Sequence, residues 1–136
     1  MQADGRDVLR VTLPAGAKCI AKEDFFRVYT RMQRVDIWSV DGATTCDAAA
    51  ARAGELIQDE FVDFAAESVT DETIAGSPGK LVAGTGSEAD DGDPGRADVA
   101  VFKIGDDVLV ALSHGEHQKP ADLRWMLDLV QTARRP

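Results

Sequence analysis

The chain has 136 residues, 44% of them hydrophobic, with 24 acidic side chains against 15 basic ones and a formal net charge of −9. That length fits one globular domain able to bury roughly two thirds of its unfolded surface. The acidic balance leaves no basic surplus to neutralise phosphates, so nucleic-acid binding is disfavoured, and it steers the chain towards cationic partners.

No apolar run approaches the ~20 residues of a membrane-spanning helix, and the opening MQADGRDVLR lacks the apolar middle of a secretory signal. The expectation is a soluble protein without a transmembrane segment, cytoplasmic or exported with a leader that this sequence does not include. Cys19 and Cys46 show no CxxC spacing, which sets aside zinc-ribbon and thioredoxin readings. Two free thiols acting as small hydrophobes are expected, with a single disulfide as the alternative for an exported protein.

In chain order, Val8 to Leu13 alternates as a half-buried strand should, and Pro14-Ala15-Gly16 closes it with turn chemistry. Ile20 to Asp24 reads as irregular. Phe25 to Val40 is rich in aromatic and β-branched residues and reads as one long strand, or as two around Met32-Gln33-Arg34. Val35, Ile37 and Ser39 share one face of it; Asp36 and Trp38 take the other.

Asp41-Gly42 marks a turn, and Thr44-Thr45-Cys46-Asp47 has helix-capping spacing. A helix is expected from about Thr45 to Phe61, because Cys46, Ala50, Ala53, Ile57, Phe61 and Phe64 step by three and four into one apolar stripe. Gly54 costs that helix roughly 1 kcal/mol, which points to a tight crossing. Glu67 to Gly86 reads as strand, turn, strand, with the turn at Ala75-Gly76-Ser77-Pro78-Gly79.

Val99 to Ile104 and Val108 to Ser113 form the clearest hairpin, and their nearly unbroken hydrophobicity predicts central strands covered on both faces, or one face under helices and the other against a partner. Pro120 opens a last helix to about Ala133, with Leu123, Met126, Leu127 and Val130 as its stripe. Arg134 and Arg135 suit its C-terminal dipole. Strands, a helix, two hairpins and a closing helix predict a single α+β domain, a mostly antiparallel β-sheet with helices packed on its faces.

This order resembles the PsbP/DcrB-like superfamily. The likeness is carried by the opening strand ending in LPAG, by WSVDG followed by the helix DAAAARAGELIQDEF, and by TIAGSPGKLVAGTG. It continues through ADVAVFKIGDDVLVALSHG and the closing LRWMLDLVQTA, so that it covers most of the chain. It is a likeness of order and spacing, with no signature motif to carry over.

The resemblance implies a PsbP-like sandwich. It also implies a role like those of the superfamily's assembly factors of photosynthetic complexes, nuclear-transport regulator, small bacterial lipoproteins and effector chaperones, most of which bind other proteins and are not enzymes. The expectation is therefore a bacterial protein-binding or accessory module whose partner is another protein.

Three sets of side chains are candidates for chemistry. GSEADDGDPG (86–95) gathers Glu88, Asp90, Asp91 and Asp93 around Gly92. Calcium needs several converging oxygens, but the run lacks the EF-hand spacing and its twelfth-position glutamate. A solvated acidic loop is the plainer reading, a weak cation site the other.

His114, Glu116 and His117 are potential zinc ligands at a strand end, the basis of an alternative reading as a metal-binding protein or small metal-dependent hydrolase; two exposed histidines are the plainer reading. Ser113 and His114 point to opposite faces of a strand and so form no triad, GxSxG is absent, and Gly84-Thr85-Gly86 lacks the rest of a phosphate loop. No cofactor is expected, with calcium or zinc as the exception. Trp38 and Trp125, with Tyr29, Phe25 and Phe26, are the aromatic candidates for a partner surface, against a role as core or core rim.

Overall fold

A computed structural model describes residues 2–3, 6–22, 25–42 and 45–136. Asp24 and Thr44, named in the sequence reading, lie outside the described residues. Two short strands, β1 (Gln2–Ala3) and β2 (Arg6–Asp7), pair with each other. They precede β3 (Lys18–Ala21), β4 (Phe26–Tyr29) and β5 (Arg34–Ser39). The helices α1 (Cys46–Ala51) and α2 (Ala53–Leu56) lead into four long strands, β6 (Phe61–Ile74), β7 (Ser77–Glu88), β8 (Pro94–Ile104) and β9 (Asp107–Gly115), and α3 (Pro120–Val130) follows. Strands β3 to β9 make one seven-stranded antiparallel sheet in the order β3-β4-β5-β9-β8-β7-β6.

The continuous hydrophobicity of β8 and β9 has its cause in their central position. Ala100, Phe102, Ile104, Leu109 and Ala111 join one buried cluster with Met126, Leu129 and Val130 of α3. The alternate residues Val99, Val101, Val108, Val110 and Leu112 join a second with Cys46, Ala49, Ala50 and Ala53 of α1 and α2. The alternation of a strand thus divides the core in two. Cys46 is buried in the second cluster and Cys19 is exposed on β3; both are free thiols. Among the described residues no helix is long and apolar enough to cross a membrane.

Several elements depart from expectation. Val8 to Leu13 is no strand of the sheet. Val8 and Leu9 insert into the α3-side cluster, while Arg10 exchanges backbone hydrogen bonds with Arg134. Helix α3 stops at Val130, so Arg134 serves this bridge and does not cap the helix. Of the stretch Ile20 to Asp24 expected to be irregular, Ile20 and Ala21 belong to β3, at the sheet edge. Of the two readings of 25–40, the two-strand one holds, with Thr30 Oγ1 accepting hydrogen bonds from the Met32 and Gln33 amides in the turn between β4 and β5.

The helix expected over 45–61 is two short ones, interrupted at Arg52 (φ −107°, ψ 15°), and Phe61 begins a strand. Thr45 caps α1, its Oγ1 accepting from the Ala48 amide at 3.0 Å. Ala75 (φ 53°) and Gly76 (φ 82°) alone make the β6–β7 turn, so Pro78 and Gly79 stand inside β7.

Candidate functional site

The site is built at one end of the sheet, on the face that carries α1 and α2. Asp36 of β5 is only 1% exposed, and Arg27 on the neighbouring strand and Arg34 two residues before it on the same strand neutralise it. Arg27, directly opposite on β4, donates from Nε to Asp36 Oδ1 at 2.7 Å and from Nη2 to Oδ2 at 3.3 Å. Arg34 reaches Asp36 Oδ2 at 3.0 Å and Glu60 Oε2 at 2.7 Å. The hydrogen bond that Arg27 donates to Asp36 pushes its guanidinium pKa up, against the lowering effect of burial. Arg27 also stacks over Phe25, 4.9 Å from the ring centre.

His114 of β9 lies beside this network. Its Nδ1 is 2.5 Å from Glu88 Oε2, both side chains being nearly buried. The contact lacks hydrogen-bond geometry, so this buried nitrogen has a carboxylate oxygen close by and no directed bond. Phe61 covers the imidazole at 5.6 Å between ring centres. Gly86 makes room for that ring, since a Cβ there would stand 2.5 Å from Phe61 Cε2.

The stretch 86–95 therefore resolves into parts. Gly86 to Glu88 end β7, Pro94 and Gly95 start β8, and only residues 89–93 form the connection. Glu88 turns inward to His114, whereas Asp90, Asp91 and Asp93 are exposed in a turn closed by Glu88 N to Asp93 O at 2.8 Å, with Gly92 at φ +75°.

The proposed zinc trio separates in the same way. One potential ligand atom each of His114, Asp36 and Glu60 lie within 4.8 Å of one another; Glu116 forms a similar exposed set with Asp91 and Asp93, and His117 joins neither. Both acidic groups that surround His114 in its set already carry arginine partners, so a divalent ion there competes with two guanidiniums. In the exposed set, a hydrogen bond to Asp93 and repulsion from it raise the Glu116 carboxyl, the kind of crowding a calcium ion relieves.

Trp38 and Trp125 fall on different clusters, Trp38 with α1 and α2, Trp125 with α3. Phe26 also joins the α3-side cluster, leaving Phe25 beside Trp38. These two, with Leu56 and Ile57, line a cleft of about 270 Å³ whose rim carries Asp41, Asp59 and Glu60. Sequence reasoning missed Arg27, Arg34 and Glu60, because Arg27 meets Asp36 only through the β4–β5 register and Glu60 comes from the turn before β6. It also missed Asp59, since a helix was expected there.

On the opposite face Gln118 Nε2 donates to Asp98 Oδ2 at 3.1 Å and to Ser113 Oγ at 2.8 Å. Burial pushes the Asp98 carboxyl up, with Gln118 and Arg96 opposing and Asp122 adding to it. The folded chain then holds a proton that the unfolded one releases, so stability is greatest below the ordinary carboxylate range and falls as pH rises through the raised folded value. Asp98→Asn is expected to remove that slope and to add about 0.5 kcal/mol at neutral pH. Urea midpoints at about pH 4 and about pH 7 check it; an equal difference between variant and parent at both would refute the assignment.

No family model matches the chain, and no curated protein matches it. Among solved structures it is similar to that of LpqN, described as involved in cell envelope biogenesis of Mycobacterium tuberculosis. The likeness has 10% identity and a TM-score of 0.54, and covers 98% of this chain and 87% of that one. At that identity the likeness shows a related fold.

Proposed function

We propose that this chain is a non-enzymatic accessory module of PsbP/DcrB-like architecture, a sandwich with helices on both faces of its sheet, which holds a partner protein at the Trp38 cleft. The observation that carries this reading is the pairing of half-buried Trp38 and Phe25 with Leu56 in an open cleft under an acidic rim. Aromatic side chains that are partly covered and still accessible are the usual anchors of protein interfaces.

Size adds support. Clefts of about 270, 200 and 180 Å³ fall below the ~300–1,000 Å³ range of small-molecule and cofactor sites. Such clefts suit single side chains of a partner. The role calls for no cofactor, and the fold likeness to a cell-envelope protein is compatible with an accessory part in a larger assembly.

Trp38→Ala is expected to weaken partner binding by roughly tenfold or more while leaving the fold intact by circular dichroism. The check is quantitative co-purification from the parent organism's extracts with wild type and variant side by side. Retention of every wild-type partner by the folded variant would sink the docking site.

A further inference from the structure

Resting on the docking reading above, we infer that the occupant of the Trp38 cleft is a basic segment of the partner, seating an apolar side chain against Trp38 and Phe25 and placing a lysine or arginine in the neighbouring recess. That recess, about 180 Å³, adjoins the cleft, with Asp59 and Glu60 lining both. Its other walls include Glu88, Asp90 and His114, with Arg34 as the cation among the lining residues.

Charge decides the kind of ligand. In the network behind the recess, Asp36 and Glu60 face Arg27 and Arg34 while Glu88 faces His114, which leaves the Glu88 carboxylate in excess whenever His114 is uncharged. In that state one monovalent cation completes the balance. A divalent metal ion overshoots it and competes with the guanidiniums on Asp36 and Glu60, whereas an ammonium or guanidinium entering from outside meets Glu88 and the rim of Asp59 and Asp90, which carry no ion pair among the described residues, without breaking those pairs.

The aromatic floor points the same way: Phe25 already carries the Arg27 guanidinium on one side, and Trp38 beside it offers a second ring to an alkyl stem or a cation. A net charge of −9 steers such a segment in from a distance, which makes the association rate depend on salt.

The test uses the full chain and three fluorescein-labelled peptides that alternate leucine with lysine, serine or glutamate, followed by anisotropy at low and high salt. The lysine peptide is expected to bind roughly tenfold tighter than the serine one, with the glutamate one weakest, and to lose most of that advantage at high salt. Asp59→Asn and Asp90→Asn together should erase the advantage by several-fold, and Trp38→Ala should weaken the lysine and serine peptides alike.

Equal binding of the lysine and serine peptides, still sensitive to Trp38→Ala, would leave the docking site standing and overturn its basic partner. Insensitivity of all three to Trp38→Ala would remove the docking site itself, and this inference with it. Retention of the lysine preference in the double asparagine variant would move the cation out of the recess and likewise overturn the assignment.

Discussion

Asp36→Ala is expected to cost about 3 kcal/mol, the lower end of the range for removing one partner of a buried ion pair. Asp36 is the member shut away from water, at 1% exposure, and it holds both arginines at once, Arg27 at 2.7 Å and Arg34 at 3.0 Å. Without it Arg34 keeps Glu60 at 2.7 Å, but Arg27 keeps only a long contact to Glu60 at 3.6 Å. Part of its guanidinium is reached by solvent, which is why the lower end applies.

Replacing both partners, Arg27→Met with Asp36→Leu, should recover most of the loss, because neither charge is then left uncompensated. The measurement is the urea midpoint at unchanged m-value. A single-variant loss below about 0.5 kcal/mol, the level of ordinary surface pairs, would show that water penetrates the network, and the charge count used for the recess would need to be redone.

This network also shows where sequence reasoning stops. The parity of β5 was legible: Val35 and Ile37 face the α3-side cluster, and Trp38 turns to the other. That Asp36 is neutralised was not, because its partner Arg27 sits nine residues away and meets it only through the β4–β5 register. The hairpins and α3 were legible because their hydrophobic runs are bounded by turn residues.

The false helix end has a physical explanation. Phe61 and Phe64 are three apart, which looks helical, yet both pack on the α1–α2 cluster from a strand. The register of β6 slips between Val62 and Ala65, where Asp63 adopts φ 55°. A bulge inserts one residue and brings i and i+3 onto one face, so the period-two signal is lost at that point. The candidate zinc trio failed to gather for a related reason. His114 is inside β9, with its direction set by the sheet, while Glu116 and His117 lie beyond the strand end and follow the turn.

Phe61→Ala is expected to be the most damaging substitution, at about 3–5 kcal/mol, against a total stability on the order of 5–15 kcal/mol. Phe61 is fully buried, meets Phe64 edge-on at 6.3 Å and 69°, and lies over His114. Its loss opens a cavity and admits water to the His114–Glu88 contact. Gly86→Ala attacks the same packing from below, because the new Cβ would stand 2.5 Å from both Phe61 Cε2 and the Val62 carbonyl oxygen, an overpacking worth roughly 1–3 kcal/mol. In the double variant the ring is gone and only the carbonyl clash remains. The combined cost should thus fall short of the sum by on the order of 1 kcal/mol, beyond the ~0.5 kcal/mol expected of independent sites. Strict additivity would mean that Gly86 is required by the β6 backbone and not by the ring. The functional consequence follows from the chain: the Phe61 and Glu60 amides both donate to the Ile57 carbonyl at 2.9 Å. Those backbone bonds survive in the variant, but the Phe61 ring shares the α1–α2 cluster with Ile57, so its loss loosens the support of the turn that presents Asp59 and Glu60 to the cleft, and Phe61→Ala should weaken binding of the lysine–leucine peptide even where the protein remains mostly folded.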